Sequence, residues 1–181
     1  LDVVVGGLGL GHTARAVLEH AQVGSLLVVE ALAAVIDWHR NGLVPLGPEL
    51  TGDGRCRFVH GDFFALAESG AGFDPDAPGR CFDVVLVDID HAPDLLLHPR
   101  NAAFYQAEGL QRVAAKLRAG GVLGLWSNAL PDEAFTARLT DCFAQARAEP
   151  VTFHNPLQDR PFTQTVYLAR TAMAPTTEQI G

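Results

Sequence analysis

Apolar residues in this chain fall into short runs of two kinds. Runs that are apolar at almost every position cover Asp2 to Gly6, Ser25 to Glu30, Arg55 to His60 and Phe82 to Asp88, as expected for strands buried on both faces of a sheet. Segments with helical spacing lie between them, from about His12 to His20, Ala33 to Asn41 and Phe63 to Glu68. The stretch Ser69 to Arg80, rich in Gly, Pro and Asp, reads as a linker. Phe104, Leu110, Val113, Ala114 and Leu117 mark a later helix, whose end is expected at Gly120 and Gly121 as a C-cap. A strand over Val122 to Trp126 should follow, and then a helix over Asp132 to Ala146 that opens behind Pro131 with two acids. Runs near Val151 to His154 and Thr165 to Ala169, separated by a Pro-containing loop, suit a closing hairpin.

Repeated strand-helix units ending in a hairpin imply a mostly parallel sheet with helices on both faces. The pattern predicts one domain over residues 1–170 and a flexible, polar tail from 171 to 181. In such a sheet, ligands bind beyond the carboxyl ends of the strands, where the strand order reverses. The conspicuous polar positions fall at those ends: the glycine turn Gly7 to Gly11, then Glu30, Asp62, Asp88 with Asp90, and Ser127 with Asn128. LDVVVGGLGLG has the form of a nucleotide-binding turn, because glycines allow left-handed torsions and a close approach of the main chain to a ligand. Glu30 ends the second strand about twenty residues further on, where an acid can accept both hydroxyls of a ribose.

Composition narrows the partners. The chain has 181 residues, 48% of them hydrophobic, enough for one substantial core. A net charge of -8 and a pI near 5.2, with no basic run, argue against a nucleic-acid partner and suit a small cation. Cys56, Cys81 and Cys142 have neither disulfide-framework nor metal-ligand spacing, so no metal is expected and a reducing, cytoplasmic setting is. No apolar run is long enough to span a bilayer, which predicts a soluble protein with no membrane partner. Because Leu1 stands inside a strand and is not Met, an N-terminal segment beyond the given sequence is also expected.

Taken together, VVVGGLGLG, VVE at Glu30, VHGDFF around Asp62, FDVVLVDIDHAP around Asp88 and LRAGGVLGLWS around Gly121 resemble the spermidine-synthase-like, polyamine aminopropyltransferase branch of the class I AdoMet-dependent methyltransferase superfamily. The resemblance covers most of Leu1 to Arg170. It implies a Rossmann-like class I methyltransferase fold, with a seven-stranded, mostly parallel sheet and a C-terminal antiparallel hairpin. It implies a co-substrate, S-adenosylmethionine or its decarboxylated form, held by Gly7, Gly9 and Gly11 under the nucleoside, Glu30 on the ribose and Asp62 on the adenine amino group, with Phe63 beside the ring. Asp88 would be the catalytic carboxylate that assists an attacking amine. The partner would be a small amine or polyamine, and a homodimer is compatible with the resemblance.

Departures from the family pattern are equally specific. Aminopropyltransferases typically carry an Asp inside the glycine turn, where this chain has Gly9, so the acid that would repel the carboxylate of AdoMet is missing. After the fourth strand the chain reads Asp88, Ile89, Asp90, His91, Ala92, Pro93, which displaces the second acid and puts His91 in its place. The family's small N-terminal β-domain is also not represented. Aminopropyl transfer leads by resemblance, methyl transfer follows because of Gly9, and a nucleoside-binding module without catalysis is the reading from another class. An NAD-dependent dehydrogenase is disfavoured because GGLGLG lacks the strict GxGxxG spacing.

A sulfonium co-substrate already carries its leaving group, so the protein has to align the acceptor and exclude water. Asp62, Asp88, Asp90 and Asp94 could form an anionic rim for an amine, with His91 and Tyr105 beside it as substrate-binding residues. The alternatives stay open: Asp90 and Asp94 capping the loop, His91 and His98 at the surface, and Tyr105 as a core aromatic.

Overall fold

The computed structural model describes residues 1–174 of the chain; the tail expected from 171 lies, from 175 onward, outside the described residues. The chain alternates β1 (Asp2–Gly6), α1 (His12–Leu18), β2 (Ser25–Glu30), α2 (Ala33–Arg40), α3 (Gly47–Gly52), β3 (Cys56–His60), α4 (Phe63–Glu68) and β4 (Phe82–Val87). A 3-10 helix over Pro99–Tyr105 leads to α5 (Ala107–Ala114), β5 (Leu117–Ser127), α6 (Glu133–Cys142), β6 (Gln145–Asn155) and β7 (Arg160–Arg170). The strands form one seven-stranded sheet in the order β3-β2-β1-β4-β5-β7-β6. The first five are mutually parallel; β7 pairs antiparallel with β5, and β6 pairs antiparallel with β7.

Side chains alternate across β1 and so feed two cores. Val3 and Val5 pack with Ala14, Val17, Ile36 and Leu50 from α1, α2 and α3. Val4 faces the other side, with Phe63 and Phe64 of α4, Leu110 and Val113 of α5, and Phe135 and Leu139 of α6. After β1 the chain turns to β2 and β3 on one side, then crosses back to β4 on the other. The reversal between β1 and β4 opens a crevice at their carboxyl ends.

Four segments differ from the sequence expectation. Gly120 and Gly121 do not cap a helix: α5 ends at Ala114, and both glycines lie inside β5. Gly120 takes φ 75° where the register of β4 against β5 shifts, so its left-handed torsion serves an irregular strand pairing. The hairpin strands extend well beyond their apolar centres, because they pair with each other from Gln145↔Arg170 to Asn155↔Arg160 with little burial on β6. α3 and the 3-10 helix had no periodicity long enough to predict them. Among the described residues, no helix is long and apolar enough to cross a membrane.

Candidate functional site

The glycine turn is built from torsions that other residues avoid. Gly7, Gly9 and Gly11 have φ of 94°, 47° and 92°. At Gly7 the requirement is absolute, since a Cβ there would stand 2.3 Å from the backbone oxygen of Asp88. Gly9 differs: a Cβ there would meet nothing within 4 Å, and its φ lies in the left-handed region that Asp and Asn also visit.

Glu30, at the end of β2, grips the turn. Its Oε2 accepts the Leu8 N–H at 3.0 Å and its Oε1 the Leu32 N–H at 2.8 Å. A carboxylate has about four accepting directions, so two remain for a ligand. Asp62 caps α4, with Oδ1 accepting the Phe64 and Ala65 N–H groups at 3.0 and 3.3 Å. Its Oδ2 lies 3.0 Å from the Arg100 guanidinium. Asp88, just beyond β4, is exposed, and its Oδ2 accepts the Thr13 hydroxyl at 2.7 Å.

These groups converge. Gly7, Gly9, Glu30, Asp62, Phe63 and Asp88 line one cleft of about 320 Å³. Gly11 lines a smaller adjoining recess of about 200 Å³ together with Thr13 and Asp88. Phe63 is buried and stacked on Phe73, with ring centroids 4.9 Å apart, so it is both a core residue and a wall of the cleft. A larger recess of about 490 Å³, between β5, β6 and β7, is lined by none of these carboxylates.

Asp90, His91 and Tyr105 are placed differently from the sequence expectation: none of them lines the cleft. Asp90 is only 2% exposed and accepts from the Leu97 N–H at 2.7 Å, the Asn101 amide at 3.0 and 3.1 Å and the Tyr105 hydroxyl at 2.9 Å. All its partners lie in its own loop and the following 3-10 helix, the capping arrangement. Burial, and next the Asp90 carboxylate, push the Tyr105 phenol well above its ordinary range, so it stays a hydroxyl donor. His91 is exposed and takes part through its backbone, with its N–H on Leu95 and its carbonyl accepting from Asn128.

This anchored loop brings to the cleft His98, which the sequence offered together with His91, and Leu97, Arg100 and Asn101, which it did not single out. The signal of Arg100 and Asn101 was weak, because the 3-10 helix that carries them is short and aperiodic, and Leu97 lies in the loop before it. Burial holds the Cys56 thiol up at about 12, which makes it a poor nucleophile. Among the described residues, no three His, Cys, Asp or Glu side chains are gathered as metal ligands.

No protein-family model matches the chain. In sequence it is similar to polyamine aminopropyltransferase 2 of Pseudomonas aeruginosa, 27% identical over 157 residues that make up 83% of this chain and 42% of that protein. In structure it is similar to a spermidine synthase solved with the transition state analogue AdoDATO, with a TM-score of 0.69 and 19% identity over 97% of this chain and 56% of that one. The likeness to a spermidine synthase recurs in those of Thermotoga maritima and, as a probable one, Corynebacterium glutamicum, with TM-scores of 0.68 and 0.65. The same fold extends to human methyltransferase-like protein 13 in complex with SAH, with a TM-score of 0.63 and 20% identity over 98% of this chain and 73% of that one. At such identities the structural likenesses are likenesses of fold, a Rossmann-like class I methyltransferase sheet. The chain spans about half the length, or less, of the aminopropyltransferase and the spermidine synthase it resembles.

Proposed function

We propose that this chain is a transferase core that binds decarboxylated S-adenosylmethionine or S-adenosylmethionine and alkylates a small amine, with aminopropyl transfer as the first reading. One observation carries it: Glu30, Asp62 and Asp88 converge on a glycine turn at the switch point of the sheet. The spermidine synthase with AdoDATO and the methyltransferase-like protein with SAH support the co-substrate class, and the aminopropyltransferase supports the acceptor class.

Each residue has a derivable task. The two free accepting directions of Glu30 suit the two ribose hydroxyls, and the Oδ2 of Asp62 suits a donor such as the adenine amino group. Phe63 supplies an apolar wall for the base. Asp88 keeps Oδ1 outside its bond to Thr13, so it can orient an acceptor ammonium and take up its proton. The amine lone pair freed in this way forms a bond to the carbon next to the sulfonium, the C–S bond breaks with its electrons going to sulfur as a neutral thioether, and the alkylated product leaves as an ammonium. The anchored loop through Asp90 and Tyr105 would hold His98, Arg100 and Asn101 over this reaction.

Methyl transfer is the second reading, favoured by Gly9. The turn has no carboxylate to repel that of intact S-adenosylmethionine, and a Cβ at Gly9 would point into open space. Calorimetry with S-adenosylmethionine, its decarboxylated form and methylthioadenosine tests both readings. Binding of none of the three would overturn the proposal. If S-adenosylmethionine is already rejected a hundredfold or more, about 2.7 kcal/mol, Gly9 is not the filter and methyl transfer falls. Otherwise Gly9→Asp should move the preference towards the decarboxylated form.

A further inference from the structure

His39, near the end of α2, is fully buried at 0% exposure, and its Nε2 lies 3.0 Å from the carbonyl oxygen of Gly9 in the glycine turn. A carbonyl oxygen only accepts, so Nε2 carries the hydrogen and donates it. Nδ1, among the described residues, is the buried side-chain polar atom left with no hydrogen-bond partner. An apolar ring would fill the same space without an orphaned nitrogen. What the imidazole adds over such a filler is its bond to the turn.

Its surroundings are fitted to it on three sides. The ring meets Phe58 edge to face with centroids 5.6 Å apart. A Cβ on Gly11 would come within 2.9 Å of the His39 Cε1, and one on Gly47 within 2.6 Å of the His39 carbonyl oxygen. Gly11 therefore leaves room for the imidazole, and Gly47 for the backbone that carries it. Because a trans peptide is planar, its C=O and N–H point in opposite directions. Drawing the Gly9 carbonyl inward to His39 turns the Leu10 N–H outward, on the side of the recess lined by Gly9, Leu10, Thr13 and Asp88.

We propose that His39 is a positioning residue: it fixes the tilt of the Gly9–Leu10 peptide from beneath and so sets the shape of the turn on which the nucleoside rests. The inference rests on the function proposed above for the site, while the hydrogen bond it invokes lies wholly within the chain. It acts through the main chain and has no contact with the reacting atoms.

The test compares His39→Phe, which fills the space without a donor, with His39→Gln, whose amide can place an N–H near the former Nε2. Methylthioadenosine affinity, melting temperature and amide exchange at Leu8 and Gly11 in the free protein are measured for each; both amides are hydrogen-bonded in the turn. His39→Phe should melt within a few degrees of wild type, exchange faster at both amides and bind about tenfold more weakly. His39→Gln should restore exchange and most of the affinity. Wild-type exchange and affinity in His39→Phe would overturn the proposal. So would equal losses of stability and affinity in both variants, which would make His39 a packing residue only. If wild type binds no S-adenosyl compound, the functional reading fails, and amide exchange in the free protein still decides the role of His39. Should His39→Phe not fold, His39→Met provides the donorless comparison.

Discussion

The two ends of the parallel strands treat their acids in opposite ways. At the amino ends, Asp2 pairs with Arg80 at 3.0 Å and Arg118 at 2.6 Å, Asp83 with Arg118 at 2.7 Å, and buried Asp74 with Arg80 at 2.9 Å and with Arg57. At the carboxyl ends, Glu30, Asp88 and Asp90 take neutral donors: backbone N–H groups, an amide and the hydroxyls of Thr13 and Tyr105. Asp62 is the exception, and its partner Arg100 is 66% exposed on its side chain. Acids matched to arginines hold the base of the sheet together. Of the acids at the carboxyl ends, Glu30 and Asp88 line the cleft with no arginine partner among the described residues, and both partners in the proposed reaction, a sulfonium and an ammonium, are cations.

That contrast breaks most visibly at Asp88. In the proposed reaction, Asp88→Asn should slow single-turnover transfer on the order of a hundredfold to ten-thousandfold while leaving co-substrate affinity nearly unchanged. A rate within a few-fold of wild type would make it a partner of Thr13 and nothing more. Glu30→Ala and Asp62→Asn come next. Losing a charge-assisted bond to the nucleoside should weaken binding by about 1.5–3 kcal/mol in each, read by calorimetry. Asn still caps a helix well, so Asp62→Asn should keep its melting temperature, and loss of stability without loss of affinity would reverse the assignment.

At the opposite end, Asp74→Asn should leave binding alone and cost about 2 kcal/mol in urea unfolding, the scale of hydrogen bonds to charged groups. Acid should find the same end. The Arg118 guanidinium, followed by Arg80, lowers the carboxyl of Asp2, and arginine and backbone donors outweigh the upward push of burial at Asp74 and Asp83. Folded values below the ordinary 3.8 mean stability that is full above about pH 4 and lost as the pH falls through the folded values. Unfolding free energy measured from pH 6 to 2.5 should drop in that lower window, and drop less in Asp74→Asn. The smallest effect is expected at Arg100→Ala. An exposed pair contributes less than about 1 kcal/mol, so affinity for a cationic nucleoside should rise only a few-fold at low salt, and a marked fall would show that Arg100 binds the ligand.

The legible part of the site follows from a simple rule: a residue that ends a buried parallel strand has few places to go. Glu30, the last residue of β2, and Asp88, the first after β4, therefore reached the cleft as their positions implied, while Asp62 is held there as the N-cap of α4. Asp90, two residues beyond Asp88, is free of that rule, and its direction was chosen by Asn101 and Tyr105, eleven and fifteen residues away. Nothing local records that choice. The same limit hid His39, whose partner Gly9 is thirty residues earlier, and misplaced Gly120, because a left-handed glycine serves a bulged strand as readily as a helix end.

Glu30 has one more consequence. The side chain proposed to hold a ribose also ties Leu8, in the loop after β1, to Leu32, in the loop after β2. Occupancy and local order are then thermodynamically linked: each ligand that draws on Glu30 cross-links two neighbouring loops through a common carboxylate. The heat of binding would include the tightening of both loops, and hydrogen exchange would slow at Leu8 and Leu32 together.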